Sequence, residues 1–116
     1  MGNPFVFAEL HSQDTAESKA FYGKLFDWKL SDAPQMDYTM IQVGEGMGGG
    51  MTKTMVDAKS QWVPYVTVAK VDSALQTAKG LGAKVVMEPM NLDAYKIRIC
   101  ILKDPTGAPC GLLERL

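Results

Sequence analysis

The sequence predicts an α+β fold in which one element order, a strand, a helix and three strands, occurs twice. A strand-like run precedes each of two helix-like segments, and three further strand-like runs follow each segment. A half of this size cannot bury its own sheet, so the halves must pair with each other or with a second chain. We expect one domain over 1–116, with a first module at about 4–53, a linker at about 54–61 and a second module at about 62–116.

The first module begins with FVFAELHS at residues 5–12, whose aromatic and β-branched start is typical of a strand. The D-T-A-E that follows places Asp14 as a helix N-cap and Glu17 as its capping-box carboxylate. We predict a helix from there to about Asp27. Its apolar face is expected to consist of Ala16, Ala20, Phe21, Leu25 and Phe26.

The glycine-rich stretch GEGMGGGM at residues 44–51 allows two interpretations. Gly44, Gly46 and Gly49 have the G-x-G-x-x-G spacing of a pyrophosphate-binding loop, but such a loop must lead directly into a helix. The following MTKTMVDAKSQW has no helical repeat of apolar residues. After an extended WKLSD, a DAPQ turn and the alternating strand MDYTMIQV, we therefore expect GGGM to be the last strand of the module.

The second module repeats this order. WVPYVTV predicts a strand, and the segment from Val71 to Leu81 predicts a helix with Leu75, Ala78 and Leu81 facing inward and Gly82 as its C-cap. AKVVMEPM, KIRICILKD and CGLLERL predict three strands, with D-P-T-G as the turn before the last.

Composition and charge exclude several classes of partner. The chain has 12 Lys and Arg against 13 Asp and Glu without charge runs, so we expect neither nucleic acid nor a membrane surface as partner. It shows no secretory signal pattern and no long apolar run, so we expect a cytoplasmic protein. Cys100 and Cys110 lie in apolar runs without metal-type spacing, which favours reduced thiols over a disulfide, although a disulfide stays an alternative.

Three segments, FYGKLFDW, YVTVAKVDSAL and ILKDPTGAPCGLLE, together resemble the vicinal-oxygen-chelate superfamily, also called the glyoxalase/bleomycin-resistance proteins. The resemblance covers nearly the whole chain. It implies that the two βαβββ modules form an open, cup-shaped mixed β-sheet with the helices outside. In the subgroup that this chain resembles, an M-G-G-G-M run occupies the last strand of the first module, so the resemblance implies that these glycines shape the floor of the cup.

Strand alternation predicts which side chains face the cup. On the first strand, Phe7, Glu9 and His11 are expected to face the cup, and Val6, Ala8 and Leu10 are expected to lie under the helix. On the strand at 62–68, the inward set is Val63, Tyr65 and Thr67, and the set beneath the helix is Pro64, Val66 and Val68.

Metal-dependent members of the superfamily hold a divalent ion with four His, Glu or Gln side chains, one on the first and last strand of each module. By the resemblance, these positions fall on Phe7, Val63, Gly49 or Gly50, and Gly111. None of these side chains can donate to a metal ion. We therefore expect no metal and no other cofactor, and none of the metal-dependent reactions of the superfamily.

Glu9 and His11 are the candidate catalytic residues, because they lie two apart on one strand and can form an acid–base pair. The alternative is structural: Glu9 would satisfy buried backbone or a neighbouring tyrosine, and His11 would end the strand in water.

The candidate ligand-binding residues combine aromatic, soft and polar side chains. Methionines adapt to varied apolar ligands, although they fill ordinary cores equally well. Arg98, in the middle of a strand, could hold a carboxylate or phosphate or could lie at an outer edge. The candidate set is Phe7, Tyr38, Met40, Met51, Val63, Tyr65, Thr67 and Arg98, with Met47, Met55, Met87 and Met90 as further residues beside the predicted strands.

Three functions follow from this sequence. The first is metal-independent binding of a planar or amphiphilic small molecule in an apolar cup. The second is a metal-independent isomerase or lyase with Glu9 or His11 as acid or base, and with Tyr65 or Arg98 stabilising negative charge. The third is an assembly or regulatory module. An unpaired edge strand favours association, so we expect a homodimer.

Overall fold

The computed structural model describes residues 2–33, 36–54 and 58–116, which form eight strands, two α-helices and one 3-10 turn. The predicted α+β class and the duplicated βαβββ order are confirmed. The 3-10 turn at Asp93–Tyr95 was not predicted. In chain order the elements are β1 (Phe5–Ser12), α1 (Thr15–Leu25), β2 (Lys29–Asp32), β3 (Tyr38–Gln42), β4 (Gly49–Lys53), β5 (Gln61–Thr67), α2 (Val71–Gly80), β6 (Lys84–Leu92), β7 (Ile97–Lys103) and β8 (Pro109–Arg115).

The chain divides into two compact units. Unit 1 contains Met1–Val6 and Pro64–Leu116, and unit 2 contains Phe7–Val63. The boundaries between the units therefore fall inside β1 and β5. Among the described residues, neither helix is long and apolar enough to span a membrane.

Unit 2 places its strands in the order β2, β3, β4, β1, with β1 parallel to β4 and the other pairs antiparallel. Its core consists of Leu10, Ile41 and Met51, and Tyr22 of α1 and Trp28 pack against these three side chains. The position of Leu10 agrees with the strand alternation expected for β1. Because the core lies on the α1 side of the strands, the alternate side chains of β1, β3 and β4 lie on the opposite face, which we call the helix-free face of unit 2.

Helix α1 begins as predicted but presents a different face from the one predicted. Asp14 is the N-cap, and its Oδ1 accepts a hydrogen bond of 3.0 Å from the backbone N–H of Glu17. Phe21 and Leu25, which we expected to face the sheet, are 57% and 55% exposed. The face toward the strands is instead polar and centred on Ser18, whose hydroxyl lies 2.7 Å from that of Ser12. The same face includes Lys19 and Tyr22, and Lys19 forms an ion pair with Asp32 at 3.2 Å.

Unit 1 repeats the arrangement with the strand order β5, β8, β7, β6, in which β5 is parallel to β8. Its core joins Val71 and Leu75 of α2 to Cys100, Leu102 and Leu112. Ala78 packs against this core as predicted. Leu81, which we expected to face inward, is the residue after the helix and is 74% exposed, because the helix ends one residue earlier than predicted.

The start of α2 is capped by a residue distant in sequence. The N-cap position is Lys70, whose side chain makes no capping hydrogen bond. Instead, the backbone N–H of Val71 donates to Oε1 of buried Glu114 on β8, at 2.8 Å. A carboxylate at this end of a helix satisfies an unpaired N–H group and interacts favourably with the helix dipole.

The glycine-rich stretch forms a turn and a strand, not a phosphate loop. Gly44 and Gly46 have φ angles of +94° and +93°, which L side chains rarely adopt, and β4 follows them in place of a helix. A Cβ at Gly49 would overlap the carbonyl oxygen of Ala8 on the neighbouring strand β1. These glycines therefore serve the turn and the close approach of β1 and β4.

Candidate functional site

A cluster of three polar side chains lies on the helix-free face of unit 2. Nε2 of His11 lies 2.7 Å from Oε1 of Glu9, and the Tyr38 hydroxyl donates to Oε2 of Glu9 at 2.6 Å. Both carboxylate oxygens of Glu9 are thus engaged by side chains of two strands, β1 and β3. We call Glu9, His11 and Tyr38 the polar cluster.

The register of the strands explains how Tyr38 reaches Glu9. Glu9 lies opposite Gly50, and Gly50 lies opposite Met40, so these three form one row across β1, β4 and β3. Tyr38 belongs to the next row, opposite Thr52 of β4. Its ring crosses diagonally over Gly50, where a Cβ would overlap the ring and its hydroxyl. Gly50 therefore leaves the space through which Tyr38 contacts Glu9.

The polar cluster places a carboxylate in a largely buried position, where its desolvation lowers the stability of the fold. The side chain of Glu9 is 9% exposed and that of His11 is 17% exposed. A buried carboxylate is tolerated when it is hydrogen bonded, yet well-packed apolar side chains of similar size are often more stabilising. Glu9 contacts His11 and also a neighbouring tyrosine, so the catalytic and the structural interpretation of Glu9 both stay open.

The positions that correspond to metal ligands in the superfamily do not fit a metal ion. Phe7 and Val63 carry hydrocarbon side chains, and Gly49, Gly50 and Gly111 carry none. Within residues 2–33, 36–54 and 58–116, no group of three or more His, Cys, Asp or Glu side chains could hold a metal ion.

Unit 1 contains a counterpart of the Tyr38–Gly50 contact. Tyr65 of β5 lies opposite Gly111 of β8, and a Cβ at Gly111 would overlap the Tyr65 ring. Tyr65 lies six residues before the start of α2, as Glu9 lies six residues before the start of α1. The neighbouring Thr67 bonds through its backbone to the amino-terminal segment, since its N–H donates to the carbonyl of Pro4 at 3.0 Å.

Arg98 lies on the α2 side of the unit 1 strands. Its Nη2 donates to Asp72 of α2 at 3.0 Å, and its Nη1 donates to Asn91 of β6 at 2.8 Å. Its Nε is buried and has no hydrogen-bond partner among the described residues. The guanidinium therefore ties α2 to β6. Arg98 lies opposite Glu114, the carboxylate that caps α2, and its role as a ligand-binding residue stays a prediction.

The apolar candidates fall in different environments. Met51 is 1% exposed and belongs to the core under α1, so it does not lie on the face of the polar cluster. Met40 is half-buried and lies on that face, in the row of Glu9. Phe7 is half-buried on β1 and Val63 is buried on β5. Met47 and Met90 are exposed, Met87 is half-buried, and Met55 lies outside the described residues.

A separate concavity of about 720 Å³ lies at the end of unit 2 that carries the glycine-rich turn. Its lining includes no member of the polar cluster and consists of Asp27, Trp28, Lys29, Ile41, Gln42, Val43, Gly44, Gly46 and Gly48. Glycine backbone makes up much of its wall. We base the candidate site on the polar cluster, because specificity comes from convergent polar groups more than from volume.

Comparison with known proteins gives a family match and a fold match. Residues 4–44 match the family described as bleomycin resistance protein-like, N-terminal. No curated protein matches the sequence. Among solved structures, a glyoxalase/bleomycin resistance protein/dioxygenase superfamily member from Vibrio splendidus 12B01 is similar with a TM-score of 0.69 and 12% identity, over 99% of this chain and 100% of that one.

Two further structures share the fold under different names. A methylmalonyl-CoA epimerase from Mycobacterium tuberculosis has a TM-score of 0.66 and 13% identity, over 97% of this chain and 87% of that one. A structure named as an NAD-dependent benzaldehyde dehydrogenase from Legionella pneumophila has a TM-score of 0.63 and 15% identity, over 99% of this chain and 100% of that one. At such identities the likeness shows the fold and leaves the activity open. The chain therefore shares the fold of a glyoxalase/bleomycin resistance protein/dioxygenase superfamily member, and its residues 4–44 are similar to the bleomycin resistance protein-like N-terminal family.

Proposed function

We propose that this protein binds a small planar or amphiphilic molecule, without a metal ion, against the helix-free face of unit 2. The observation that carries this proposal is the polar cluster, in which Glu9 is buried and held through both oxygens by His11 and Tyr38. The unit has a separate apolar core and does not need a charge at this position. Polar groups that break the local preference for apolar packing are typical of functional sites.

The surroundings of the cluster suit such a ligand. Phe7 and Met40 are half-buried on the same face and offer an aromatic and a soft apolar side chain. The polar cluster would then orient the ligand, and these apolar side chains would supply contact area.

The test is a thermal-shift and nuclear magnetic resonance screen of planar neutral and charged fragments on the purified chain. Ligands should shift the resonances of Glu9, His11 and Tyr38 and raise the unfolding temperature. Glu9→Gln should abolish this response. The matched control is Glu114→Gln, which alters an equally buried carboxylate in unit 1 and should leave ligand response intact. A screen in which no compound perturbs the polar cluster would overturn the proposal.

A second candidate function is a metal-independent isomerase or lyase, and the Glu9–His11 contact favours it. A carboxylate that fixes an imidazole is the usual arrangement for a general base. The fold is shared with a protein named an epimerase, which makes proton transfer the first reaction to test. Any ligand found in the screen should be incubated in deuterated water and weighed by mass spectrometry. If the ligand takes up deuterium at a rate that falls about 100-fold in Glu9→Gln, the protein is a catalyst. If the mass of the ligand does not change, the protein only binds it.

We also propose a homodimer, formed through the exposed end of α1. Phe21, Leu25, Phe26 and Trp62 are all exposed in unit 2, and large exposed apolar patches mark interaction surfaces. The outer strand β2 of unit 2 and the outer strand β6 of unit 1 discourage edge pairing, because β2 is only four residues long and β6 carries Glu88 and Pro89. Sedimentation should give a dimer that Phe21→Asp converts to a monomer. Leu81→Asp, an equally exposed position in unit 1, should not do so.

A cytoplasmic location completes the proposal. The described structure holds Cys100 and Cys110 as free thiols, which a reducing compartment preserves.

A further inference from the structure

The concavity beside the glycine-rich turn of unit 2 has no role in the function proposed above. Its volume of about 720 Å³ lies within the range of roughly 300–1,000 Å³ that is typical of small-molecule sites. Three consecutive residues, Asp27, Trp28 and Lys29, lead from the end of α1 into β2 and line the concavity together. They bring an aromatic ring and two opposite charges to one wall.

The ring of Trp28 is held in place by other aromatic rings. It stacks on Tyr22, with ring centroids 5.6 Å apart and an interplanar angle of 23°. It also contacts Phe26 at 4.7 Å and the edge of Trp62 at 6.3 Å, and it packs against the apolar core of unit 2. A side chain that is already ordered loses little conformational entropy when a ligand binds, so Trp28 is a preformed wall for a flat apolar group.

The two charges beside Trp28 do not neutralise other charges of the chain. Asp27 and Lys29 are exposed, and neither side chain forms an ion pair or a hydrogen bond with residues 2–33, 36–54 or 58–116. Lys19 and Asp32, also in unit 2, instead pair with each other at 3.2 Å. A carboxylate and an ammonium group therefore remain available to a ligand in the concavity.

The opposite wall is bare backbone. Gly44, Gly46 and Gly48 line the concavity, whereas the intervening Glu45 and Met47 do not. A Cβ added at Gly44 or Gly46 would have no atom within 4 Å. The side chains of the turn therefore leave the concavity open, and a ligand can approach its peptide groups closely.

We propose that this concavity is a second binding site, and that its ligand is a small zwitterion with a flat apolar body. The body lies on the Trp28 ring, the cationic group of the ligand contacts Asp27, and its anionic group contacts Lys29. A ligand with a single charge would leave one of these two side chains without a partner and place the other beside its own counter-charge alone. Amino acids with an aromatic side chain are the simplest members of this class.

The test compares L-phenylalanine, phenethylamine and hydrocinnamate, which carry a phenyl ring on the same two-carbon arm. At neutral pH the first is a zwitterion, the second a cation and the third an anion. L-phenylalanine should bind about fivefold more tightly than either of the others, because each of them lacks one exposed charge pair. Nuclear magnetic resonance titrations should show shifts at the N–H groups of Gly44 and Gly46 and at the Trp28 indole. The Trp62 indole, which donates to the Tyr22 hydroxyl at 3.3 Å and does not line the concavity, should shift less.

Two variants separate the charges. Lys29→Gln should remove the preference for L-phenylalanine over phenethylamine, and Asp27→Asn should remove its preference over hydrocinnamate. The matched control is Lys24→Gln, which alters a lysine in the last turn of α1 outside the concavity and should keep both preferences. All three positions are exposed, so the unfolding temperature should stay close to that of the natural chain.

The outcomes distinguish this site from the polar cluster. Equal affinities for the three compounds, or preferences that survive in both Lys29→Gln and Asp27→Asn, would overturn the inference. An absence of shifts at Gly44, Gly46 and Trp28 would overturn it as well. Shifts confined to the polar cluster would remove the second site and support the proposed function.

Discussion

The ring of Tyr38 lies against the backbone of Gly50, and a Cβ at Gly50 would overlap the Tyr38 hydroxyl. The same strand position lies opposite Glu9, which receives the hydrogen bond of that hydroxyl. One missing side chain thus permits the contact that fixes the buried carboxylate. The glycine-rich stretch therefore serves the candidate site directly, although it does not lead into the helix that a phosphate-binding loop requires.

The first prediction concerns this glycine. Gly50→Ala should displace the Tyr38 ring and cost about 1–3 kcal/mol of unfolding free energy, measured by urea denaturation, because overpacking forces side chains out of their rotamers. The control is Gly80→Ala. A Cβ added at Gly80 would have no atom within 4 Å, so the change should be neutral or slightly stabilising. In a Tyr38→Ala background the cost of Gly50→Ala should largely disappear, and persistence of the full cost would show that Tyr38 is not the cause.

The second prediction concerns the carboxylate that caps α2. Glu114→Gln should lower the unfolding free energy by about 1–2 kcal/mol, because the amide is a weaker partner for the Val71 N–H and the positive helix end. Chemical denaturation followed by circular dichroism measures this loss. Glu17→Gln, in the exposed first turn of α1, should have an effect below about 0.5 kcal/mol, and equal losses at both positions would contradict a specific cap.

The third prediction concerns Asp104 in the D-P-T-G turn. Hydrogen bonds from the Thr106 hydroxyl and then from the Ala108 backbone hold the pKa of Asp104 below its ordinary value of 3.8. A lowered folded-state pKa stabilises the fold above the ordinary value, and this contribution is lost as the pH falls below it. Unfolding temperatures measured on acidification should fall less steeply in Asp104→Asn than in the natural chain. Parallel curves would show that this carboxyl does not contribute to the acid response.

The fourth prediction concerns the thiols. Burial raises the pKa of Cys100 to about 11, and burial also raises the pKa of Cys110. Both thiols should resist alkylation by iodoacetamide at neutral pH in the native protein and react rapidly in denaturant, since the thiolate is the nucleophile. Cys110→Ala isolates Cys100, which is fully buried and should remain the slower of the two. Rapid native labelling of Cys100 would show that β7 and β8 open locally.

The fifth prediction concerns metal ions. The positions of Phe7, Val63 and Gly111 lack donor atoms, so zinc or manganese should not change the unfolding temperature, and a chelator should not remove any ligand response. Elemental analysis of purified protein should find no stoichiometric metal. A metal bound one per chain, with its loss lowering the unfolding temperature, would contradict the proposed metal-independent function.

Local signals in the sequence predicted the order of elements. Asp14, Gly82 and the D-P-T-G turn act on their own neighbours, and helix and strand starts follow from such short-range effects. Alternation along β1 placed Glu9 and His11 on one face, and the structure shows them in contact at 2.7 Å.

The buried face of α1 and the cap of α2 depend on contacts with other elements, so the sequence did not predict them. Phe21 and Leu25 were wrongly placed against the sheet, because the apolar spacing of α1 carries no information about the hydroxyl partner that Ser12 offers to Ser18. The hydrogen bond between Val71 and Glu114 joins two residues that are 43 positions apart, and no local sequence motif predicts it. The available sequence signal was an acidic residue, Glu114, within the largely apolar last strand.

The amino-terminal segment has a consequence for biosynthesis. Asn3 donates to the carbonyl of Thr67 at 2.9 Å, and the N–H of Thr67 donates to the carbonyl of Pro4 at 3.0 Å, so residues 3 and 4 bond within unit 1. Unit 1 also requires β8, which is synthesised after all of unit 2, whereas unit 2 is one uninterrupted stretch from Phe7 to Val63. Unit 2 should therefore fold first on the nascent chain, and the segment before it should join unit 1 only after β8 has been synthesised.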